Sequence, residues 1–317
     1  MIKSNDKNKK ENFKESSKQK DQTKQENCFS TKWKRNYKMM QNKITSGSYG
    51  EFMVFPNDAI GRTLIDQKKF EPHFMEVASV VVKPGDFVVD CGANLGLHTV
   101  SLGKLVGKGG MVLAIEPLRV IYQQLCGNVF LNNLHNIITV NVAVGNENKN
   151  IQMEPLVIDG AQINIGGTKV GSGGEYVEMV TLDSMNLSKV SFIKIDVQGN
   201  ETNLINGALK LIQDSRPIMF VEVEDNWLRC FGTSAEELMN KIISLDYVLL
   251  RVKTEYPCDH IAIPKEKNHM IDKIIKALSY PVDIIDGQIT LDFNGSIRPD
   301  IIYNTYKSIN QKELTLV

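Results

Sequence analysis

The sequence has few of the features that mark secreted, zinc-binding or membrane-spanning proteins. It contains only five cysteines in 317 residues, and no two of them form a C-x-x-C pair. An odd, scattered set of cysteines predicts neither a disulfide framework nor a zinc site. No apolar run is long enough to span a membrane, and the N-terminus lacks the apolar core of a secretory signal. We therefore expect a cytoplasmic protein without a transmembrane segment.

The chain also lacks net charge, although its charges are unevenly distributed. Residues 1–42 contain twelve Lys or Arg and five Asp or Glu, so the remainder is acidic overall. The polar composition of 1–42 predicts a disordered basic tail. An acidic body argues against a nucleic-acid groove, so we expect no nucleic-acid partner. A globular domain over 43–265 and a C-terminal extension over 266–317, packed on that domain, complete the expected organisation.

Apolar runs of strand length alternate with segments of helical period from about residue 50 onward. The predicted strands are 87–90, 111–116, 138–144, 192–197, 218–224, 247–252 and 260–264, and the last two look like the final strands. The predicted helices are 95–106, 118–132, 200–213, 234–244 and 268–279. Continuous Val and Ile runs indicate an α/β fold, with a doubly wound, mostly parallel sheet covered on both faces. Ligands of such sheets bind at the carboxyl ends of the strands.

The first two strand ends carry the pattern of a nucleoside site. Asp90, Gly92 and Gly96 follow the first strand, and the next helix would direct free N–H groups at an anion. Glu116 ends the second strand, where a carboxylate can accept both hydroxyls of a ribose. A plain strand–turn–helix with a surface acid is the alternative interpretation.

This nucleoside site departs from the G-x-G-x-x-G pattern of dinucleotide sites. Asn94 and Leu97 occupy the second and third glycine positions, so a pyrophosphate could not approach the backbone as closely. S-adenosylmethionine makes a different demand. Its carboxylate can be held by the loop amides, and its ammonium by Asp90, directly or through water.

A second motif lies in the predicted strand over 192–197. Lys194 and Asp196 are two residues apart and face the same side of that strand, and Glu201 starts the next helix. Burying an ammonium and a carboxylate is costly unless they are paired or used. Two interpretations stay open: a structural Lys194–Asp196 ion pair with Glu201 as a helix N-terminal acid, or a catalytic group.

Together these segments resemble the FkbM-type family of S-adenosylmethionine-dependent methyltransferases, over roughly residues 50–265. The matching pieces occur in the family's order: 58-DAIGRTLIDQKKFEP-72, 84-PGDFVVDCGANLGLHT-99, 115-IEP-117, 141-NVAVG-145, 162-QINIGG-167, 181-TLDSM-185, 193-IKIDVQGNE-201 and 219-MFVEVED-225. The resemblance implies the seven-stranded class I methyltransferase fold. It also implies a methyl acceptor that is a hydroxyl on a sugar, a glycan or another small molecule. Gln198 departs from the family, which often has Glu at that position.

The predicted site residues follow from the motifs and the resemblance together. The cofactor-binding set is Asp90, Gly92, Ala93, Asn94, Gly96, Thr99, Glu116, Pro117, Ala143 and Asp196. The catalytic set is Asp196, Glu201, Lys194, Glu224 and His260. Asp196 is expected beside the reacting methyl group, and the base that deprotonates the hydroxyl is left open among Asp196, Glu201, Glu224 and His260. His98 is expected to pack or cap a helix, and a surface position is the alternative for His260.

Several features of the acceptor side remain open from the sequence. No metal is expected, although Asp196 with Glu222 or Glu224 could hold a divalent ion. The glycine-rich stretch 159–175, with Gln162 and Asn164, suits a lid over the acceptor or an ordinary hairpin turn. Trp227 and Phe231 suit either an acceptor-site wall or the core.

Other functions also remain open. An NAD-dependent oxidoreductase, a catalytically silent cofactor-binding module and a nucleic-acid methyltransferase are the alternatives. The sequence leaves the acceptor and the oligomeric state undetermined.

Overall fold

The computed structural model describes residues 42–157, 163–255 and 258–287, together with the backbone of a strand at 302–306. The predicted tail over 1–42 therefore lies outside the described residues, apart from its last position. Within the described part of the chain, no helix is long and apolar enough to cross a membrane.

The strands fall into one large sheet and two small ones. In chain order they are β1 (Lys43–Gly47), β2 (Gly50–Val54), β3 (Phe87–Cys91), β4 (Met111–Ile115), β5 (Ile137–Val140), β6 (Ala143–Val144), β7 (Lys149–Gln152), β8 (Tyr176–Val180), β9 (Val190–Ile195), β10 (Ile218–Glu222), β11 (Tyr247–Val252), β12 (Asp259–Pro264), β13 (Val282–Ile285) and β14 (Ile302–Tyr306). The large sheet has the order β14-β13-β11-β12-β10-β9-β3-β4-β5. β1 pairs with β2, and β6, β8 and β7 form a three-stranded sheet.

The helices lie mainly between the strands of the large sheet. In chain order they are α1 (Ala59–Gln67), α2 (Pro72–Val81), α3 (Leu97–Val106), α4 (Arg119–Leu131), α5 (Glu201–Asn206), α6 (Leu209–Ser215), α7 (Asp225–Cys230), α8 (Ala235–Ile243) and α9 (Ile271–Ala277). The alternation of strands and helices gives the α/β arrangement that the apolar runs predict.

Strand direction divides the large sheet into two regions. β5, β4, β3, β9 and β10 pair in parallel, whereas β12 is antiparallel to both β10 and β11. β13 is antiparallel to both β11 and β14. All strands except β12 and β13 therefore point the same way, which confirms the mostly parallel sheet. The expectation of seven strands with β11 and β12 last was incomplete, because β13 and β14 extend the sheet.

The core lies on both faces of this sheet because successive strand residues point to opposite sides. Val89, Ile193 and Val221 pack on one face with residues of α5, α6 and α8. Val88 and Phe220 pack on the other face with residues of α2, α3 and α9. Both faces are buried, which explains why these strands are apolar throughout rather than alternating.

Three predicted elements differ from the observed ones, and one observed helix was not predicted. The strand predicted over 138–144 is split, because the chain leaves the large sheet after Val140 and β6 joins β8 instead. The helix predicted over 200–213 is interrupted at Gly207, where an added Cβ would lie 1.9 Å from the Gly145 carbonyl oxygen. α7 was not predicted. α9 is shorter than the predicted 268–279, because a 3₁₀ turn (Lys265–Met270) precedes it.

Asp58 joins the N-terminal elements to the glycine-rich stretch. Its Oδ2 atom accepts hydrogen bonds from the N–H groups of Ile60 and Gly61 at the start of α1. Its Oδ1 atom accepts from the N–H of Ile165 at 2.9 Å, and the N–H of Ala59 donates to the Ile163 carbonyl. Asp58 therefore both caps α1 and holds the segment that begins at residue 163 against it.

Candidate active site

A cavity of about 490 Å³ opens at the carboxyl ends of β3, β4, β9 and β10. This is where ligands of an open α/β sheet bind, and the volume is that of a small-molecule site. The start of α1, the residues before α2 and the described part of the glycine-rich stretch, 164–170, complete its wall. The structure thus brings the predicted lid region to the cavity, although Gln162 lies outside the described residues.

The loop after β3 is shaped by close backbone packing. Gly92 has φ +78°, and an added Cβ would lie 1.7 Å from the Asp196 carbonyl oxygen. Gly96 has φ +92°, and its added Cβ would lie 2.7 Å from a methyl carbon of Leu125. Both positions require glycine because other parts of the chain approach them closely.

The amides of this loop are bonded within the protein, which corrects the expectation that they hold a ligand carboxylate. The N–H groups of Gly92 and Ala93 donate to the Ile115 carbonyl at 3.0 and 2.9 Å. The N–H of Asn94 donates to Glu116. The first turn of α3, which begins at Leu97 on the cavity wall, lacks a side-chain cap, so its N–H groups are the ones available to an anion.

Asp90 and Thr99 lie behind the cavity wall. Asp90 is fully buried, and its Oδ2 atom accepts a hydrogen bond of 2.5 Å from the Thr99 hydroxyl. Its Oδ1 atom lies 3.7 Å from the Lys194 ammonium. Direct contact of Asp90 with a ligand ammonium is therefore not available in this arrangement, and its carboxylate supports the loop and Lys194 instead.

Glu116 lies on the cavity wall with Pro117 and Ala143 beside it. Its two oxygens accept hydrogen bonds of 2.9 Å from the N–H groups of Asn94 and Leu118. Burial raises the pKa of Glu116 to about 7, against the lowering effect of these two donors. Each carboxylate oxygen can accept a further bond, so ribose hydroxyls can be added to this arrangement.

Lys194 and Asp196 form the buried ion pair that the sequence left as one interpretation. The ammonium lies 3.0 Å from Asp196 Oδ2 and donates to the Gly92 carbonyl. Burial alone would raise the pKa of Asp196, but the Lys194 ammonium and its hydrogen bond hold that pKa below the ordinary range. Both side chains also line the cavity. Asp196 is thus an ionised, well-held carboxylate at the ligand surface and a weak proton acceptor.

Gln198 links Asp196 to Glu222 at the end of β10. Its side-chain amide donates to Asp196 Oδ1 at 2.8 Å and to Glu222 Oε2 at 3.3 Å. Burial, and then the Asp196 charge, raise the pKa of Glu222 well above its ordinary value. Gln198 therefore bridges Asp196 and Glu222. The family often has Glu at this position, and Gln198 carries no such charge. Glu224 and Trp227 line the same side of the cavity, whereas Phe231 lies outside that lining.

Two predicted base candidates lie away from the cavity lining, as far as the described residues define it. Glu201 Oε1 accepts hydrogen bonds of 3.0 Å from the N–H groups of Val197 and Gly199, so its carboxylate shapes the loop after β9. His260 is buried in β12, which corrects the surface alternative, and its Nδ1 atom lies 2.9 Å from the Cys258 carbonyl oxygen. Neither position favours a direct proton transfer from a ligand in the cavity.

Two residues on the cavity wall were missed as functional candidates. Glu71, just before α2, was noted only as part of the family's lead-in, and His98 was expected to pack or cap. His98 does stack on Phe74, with ring centroids 4.0 Å apart, but it also lines the cavity with its Nε2 atom 3.4 Å from Glu71 Oε2. The unusual backbone of Glu71 could not be read from the sequence.

A metal site was the minor alternative for this cavity. Among the residues that the structure describes, no group of three or more His, Cys, Asp or Glu side chains is placed to hold a metal ion. Asp225, which follows β10 closely, accepts a hydrogen bond of 2.8 Å from the Ala235 N–H at the start of α8 and pairs with Arg229.

The fold and the cavity define a class I methyltransferase: a doubly wound α/β domain with its cavity at the β3 and β4 ends. The family comparison agrees. The family model described as "Methyltransferase FkbM domain" matches residues 90–249, which is half of the chain. The chain belongs to the FkbM methyltransferase family, and the resemblance seen in the sequence is confirmed.

Solved structures that the comparison matches to this chain include methyltransferases. The FkbM methyltransferase from Methylobacillus flagellatus KT is 20% identical, covering 56% of this chain and 43% of that one, with a TM-score of 0.41. The chain thus aligns with less than half the length of that protein. A SAM-dependent O-methyltransferase from Thermotoga maritima is 12% identical, covering 70% and 77%, with a TM-score of 0.40. A SAM-dependent methyltransferase from Aquifex aeolicus is 15% identical, covering 61% and 98%, with a TM-score of 0.36. No curated protein matches the chain.

Proposed function

We propose that this methyltransferase binds S-adenosylmethionine in the cavity and transfers its methyl group to a hydroxyl of a sugar, a glycan or another small molecule. The observation that carries the proposal is one cavity that joins Glu116 and apolar side chains at the ends of β3 and β4 to a carboxyl-rich region at the ends of β9 and β10. S-adenosylmethionine supplies a methyl group already activated on a sulfonium, so the protein's task is alignment, proton removal and exclusion of water.

The residues present fit the nucleoside and amino-acid parts of this donor. Glu116 has acceptor capacity left for the ribose hydroxyls. Apolar side chains next to it, including Ile121, Val142 and Val144, offer a surface for the adenine ring. The uncapped first turn of α3 suits the carboxylate, and the Asp196 carboxylate suits the positive charge of the ammonium or sulfonium.

The acceptor side supports a polar, hydroxyl-bearing substrate. Asn164, Glu222 and Glu224 bring amide and carboxyl groups to the wall, and Trp227 adds an aromatic surface. Carboxyl groups outnumber cations here, and the Lys194 ammonium is paired with Asp196. Such a wall disfavours phosphorylated acceptors, including nucleic acid, because like charges repel in a poorly solvated site.

The test is titration calorimetry with S-adenosylmethionine, its demethylated product and NAD. We expect heat with the first two and none with NAD, and a weaker affinity for S-adenosylmethionine in the Glu116→Ala variant. Binding of NAD alone would support the oxidoreductase alternative and end this proposal. Unchanged affinity in Glu116→Ala would show that the ribose assignment is wrong.

The acceptor is sought by transfer of a labelled methyl group to fractionated glycans, lipids and metabolites. Binding of the donor without any labelled fraction would support the silent-module alternative. Label in an RNA or DNA fraction would contradict the expected acceptor class. We also propose that the protein acts in the cytoplasm and that methyl transfer needs no metal.

A further inference from the structure

Glu71 combines an unfavourable backbone with a side chain on the cavity wall. It has φ 43° and ψ 62°, in the left-handed region that favours glycine or asparagine. It precedes α2 at the N-cap position, yet its side chain makes no capping hydrogen bond. Position 71 is thus a glutamate although its left-handed backbone disfavours any residue with a Cβ. The glutamate side chain does not cap α2 in return. Strain of this kind in a cavity wall points to a role for the side chain.

His98 faces the same point from α3. Its ring is held between aromatic neighbours, stacked on Phe74 and tilted against Phe70 at a centroid distance of 6.3 Å. The side chain is 9% exposed, and its Nε2 atom lies 3.4 Å from Glu71 Oε2. Within the described part of the chain this buried nitrogen has no hydrogen-bond partner. Burying a polar atom without a hydrogen-bond partner costs free energy unless a bound ligand supplies that partner.

A hydroxyl group suits these two side chains because it can donate and accept at once, and it can bridge the two polar atoms from the cavity side. It can donate its proton towards the Glu71 carboxylate and accept a hydrogen bond from the His98 Nε2–H. Burial lowers the pKa of His98 well below its ordinary value, so the ring is neutral and has one N–H to give. A phosphate or carboxylate would meet the Glu71 charge instead.

We propose that the acceptor hydroxyl binds between Glu71 and His98 and that Glu71 accepts its proton during methyl transfer, an inference that rests on the proposed function. The hydroxyl oxygen forms a bond to the methyl carbon while the sulfur–methyl bond breaks, and that bond's electron pair stays on sulfur. The O–H proton passes to the Glu71 carboxylate. The products are the methyl ether, the neutral thioether and a protonated Glu71, which returns its proton to solvent.

The charges around Glu71 suit it to this step. Burial raises the pKa of Glu71 to about 8, and so do neighbouring carboxylates, while the Lys194 ammonium acts against them. The titratable groups that face it are Asp259 of β12, Asp196 after β9, Lys194 of β9, Asp90 of β3 and His98 of α3. A carboxylate with a raised pKa is a better proton acceptor than Asp196, whose pKa is lowered.

The decisive variant is Glu71→Gly. It removes the carboxylate and relieves the left-handed backbone, so folding should not suffer. Lys189→Gly is the matched control, because Lys189 is exposed, has φ 59° and lies outside the cavity wall among the described residues. Both variants are assayed for transfer of a labelled methyl group into the fraction that the wild-type protein labels, and by calorimetry with S-adenosylmethionine.

We expect Glu71→Gly to lower the rate at least ~100-fold with donor affinity unchanged, since a positioned base contributes about that much. Formate, which can occupy the vacated space, should restore part of the rate, and Glu71→Asp should retain some. The wild-type rate should rise with pH towards a plateau, and Glu71→Gly should lose that rise. Lys189→Gly should match the wild-type protein throughout.

Three results would overturn the inference in distinguishable ways. Full activity in Glu71→Gly would remove Glu71 from the reaction. A loss of activity that neither formate nor Glu71→Asp relieves would leave Glu71 a structural role only. Donor binding without label in any fraction from the wild-type protein would remove the proposed function, and this inference with it.

Discussion

The two ends of the cavity satisfy their buried carboxylates in different ways. At the β4 end, Glu116 is bonded to two backbone N–H groups from the loops around it. At the β9 and β10 ends, Glu71 and Glu222 lie near Asp196, and the Lys194 ammonium is paired with Asp196. The carboxylate of the first end is thus held by donors of the protein, whereas at the second end burial and neighbouring carboxylates raise the pKa values of Glu71 and Glu222.

This difference matches the two demands of methyl transfer. The donor end has to present one fixed surface to the same nucleoside in every cycle, and backbone donors fix a carboxylate firmly. The acceptor end has to take up a proton, which requires a carboxyl group whose ionised form is not already stabilised. Four changes would test this comparison.

Gly92→Ala is expected to have the largest effect, because it breaks the contact that joins the two ends. The new Cβ would lie 1.7 Å from the Asp196 carbonyl oxygen at a backbone φ of +78°. We expect failure to fold or a loss of about 4 kcal/mol or more in the free energy of unfolding, measured by chemical denaturation. Gly85→Ala is the control, because it has φ +94° with no described atom within 4 Å, so only about 1 kcal/mol of backbone strain is expected. Equal effects of the two variants would contradict the packing argument.

Lys194→Met removes the ammonium that is paired with Asp196. The fully buried Asp90 and the half-buried Asp196 would then lose their cation. We expect a loss of about 3 kcal/mol in the free energy of unfolding, since breaking a buried pair leaves an uncompensated charge. The loss should shrink at low pH, where both carboxyls can be protonated. A loss that is independent of pH would show that packing of the Lys194 side chain, rather than its charge, is responsible.

The affinity for S-adenosylmethionine should depend on pH through Glu116. Its pKa is raised to about 7 by burial, so it becomes protonated as the pH falls through 7, and a protonated carboxyl accepts ribose hydroxyls less well. Affinity should fall below pH 7 by up to about tenfold per pH unit. Calorimetry between pH 6 and 8 measures this, and Glu116→Ala should bind weakly with a flatter profile. A wild-type affinity that is constant across this range would contradict the ribose role of the ionised form.

Glu222→Gln should have the smallest effect, a gain in stability. The pKa of Glu222 is raised in the folded protein, so above its unfolded pKa the unfolded state loses the proton first and is favoured. Replacing the carboxyl by an amide removes this penalty, which grows with pH until the folded group also ionises. We expect about 1 kcal/mol more stability at pH 8 and little change at pH 5, by chemical denaturation. Glu178→Gln, at an exposed position in β8, should show no such difference. A loss of stability at pH 8 would mean that Glu222 is held ionised.

The sequence was sufficient for the strands at the centre of the sheet. Long Val and Ile runs are unambiguous when a strand is buried on both faces, which is why β3, β4, β9, β11 and β12 match closely. Elements whose existence depends on distant contacts were missed or misjudged. The break at Gly207 depends on the Gly145 carbonyl, 62 residues earlier. β13 is short, and its Asp283 pairs with Lys253, which directly follows the neighbouring strand β11.

The acceptor end was less predictable because its geometry depends on side chains from distant parts of the chain. Glu71 lies on the cavity wall at a left-handed backbone position. No spacing pattern in the sequence predicts such a backbone. Glu201 and His260 have side chains that could act as a base. In the structure, however, Glu201 is bonded to loop amides and His260 lies against the Cys258 carbonyl. Glu116, by contrast, follows a strand directly, and strand order alone brings it to the cavity.

The double attachment of Asp58 has a consequence for how substrates enter. One oxygen caps α1 and the other holds Ile165, so the segment over the cavity cannot lift away at residue 165 while the Asp58 carboxylate keeps both bonds. Outward movement of that segment would disturb the first turn of α1, and the amide protons of this turn would then exchange faster with solvent. The start of α1 and the segment at Ile165 are thus coupled through one carboxylate, although they lie about a hundred residues apart in the chain.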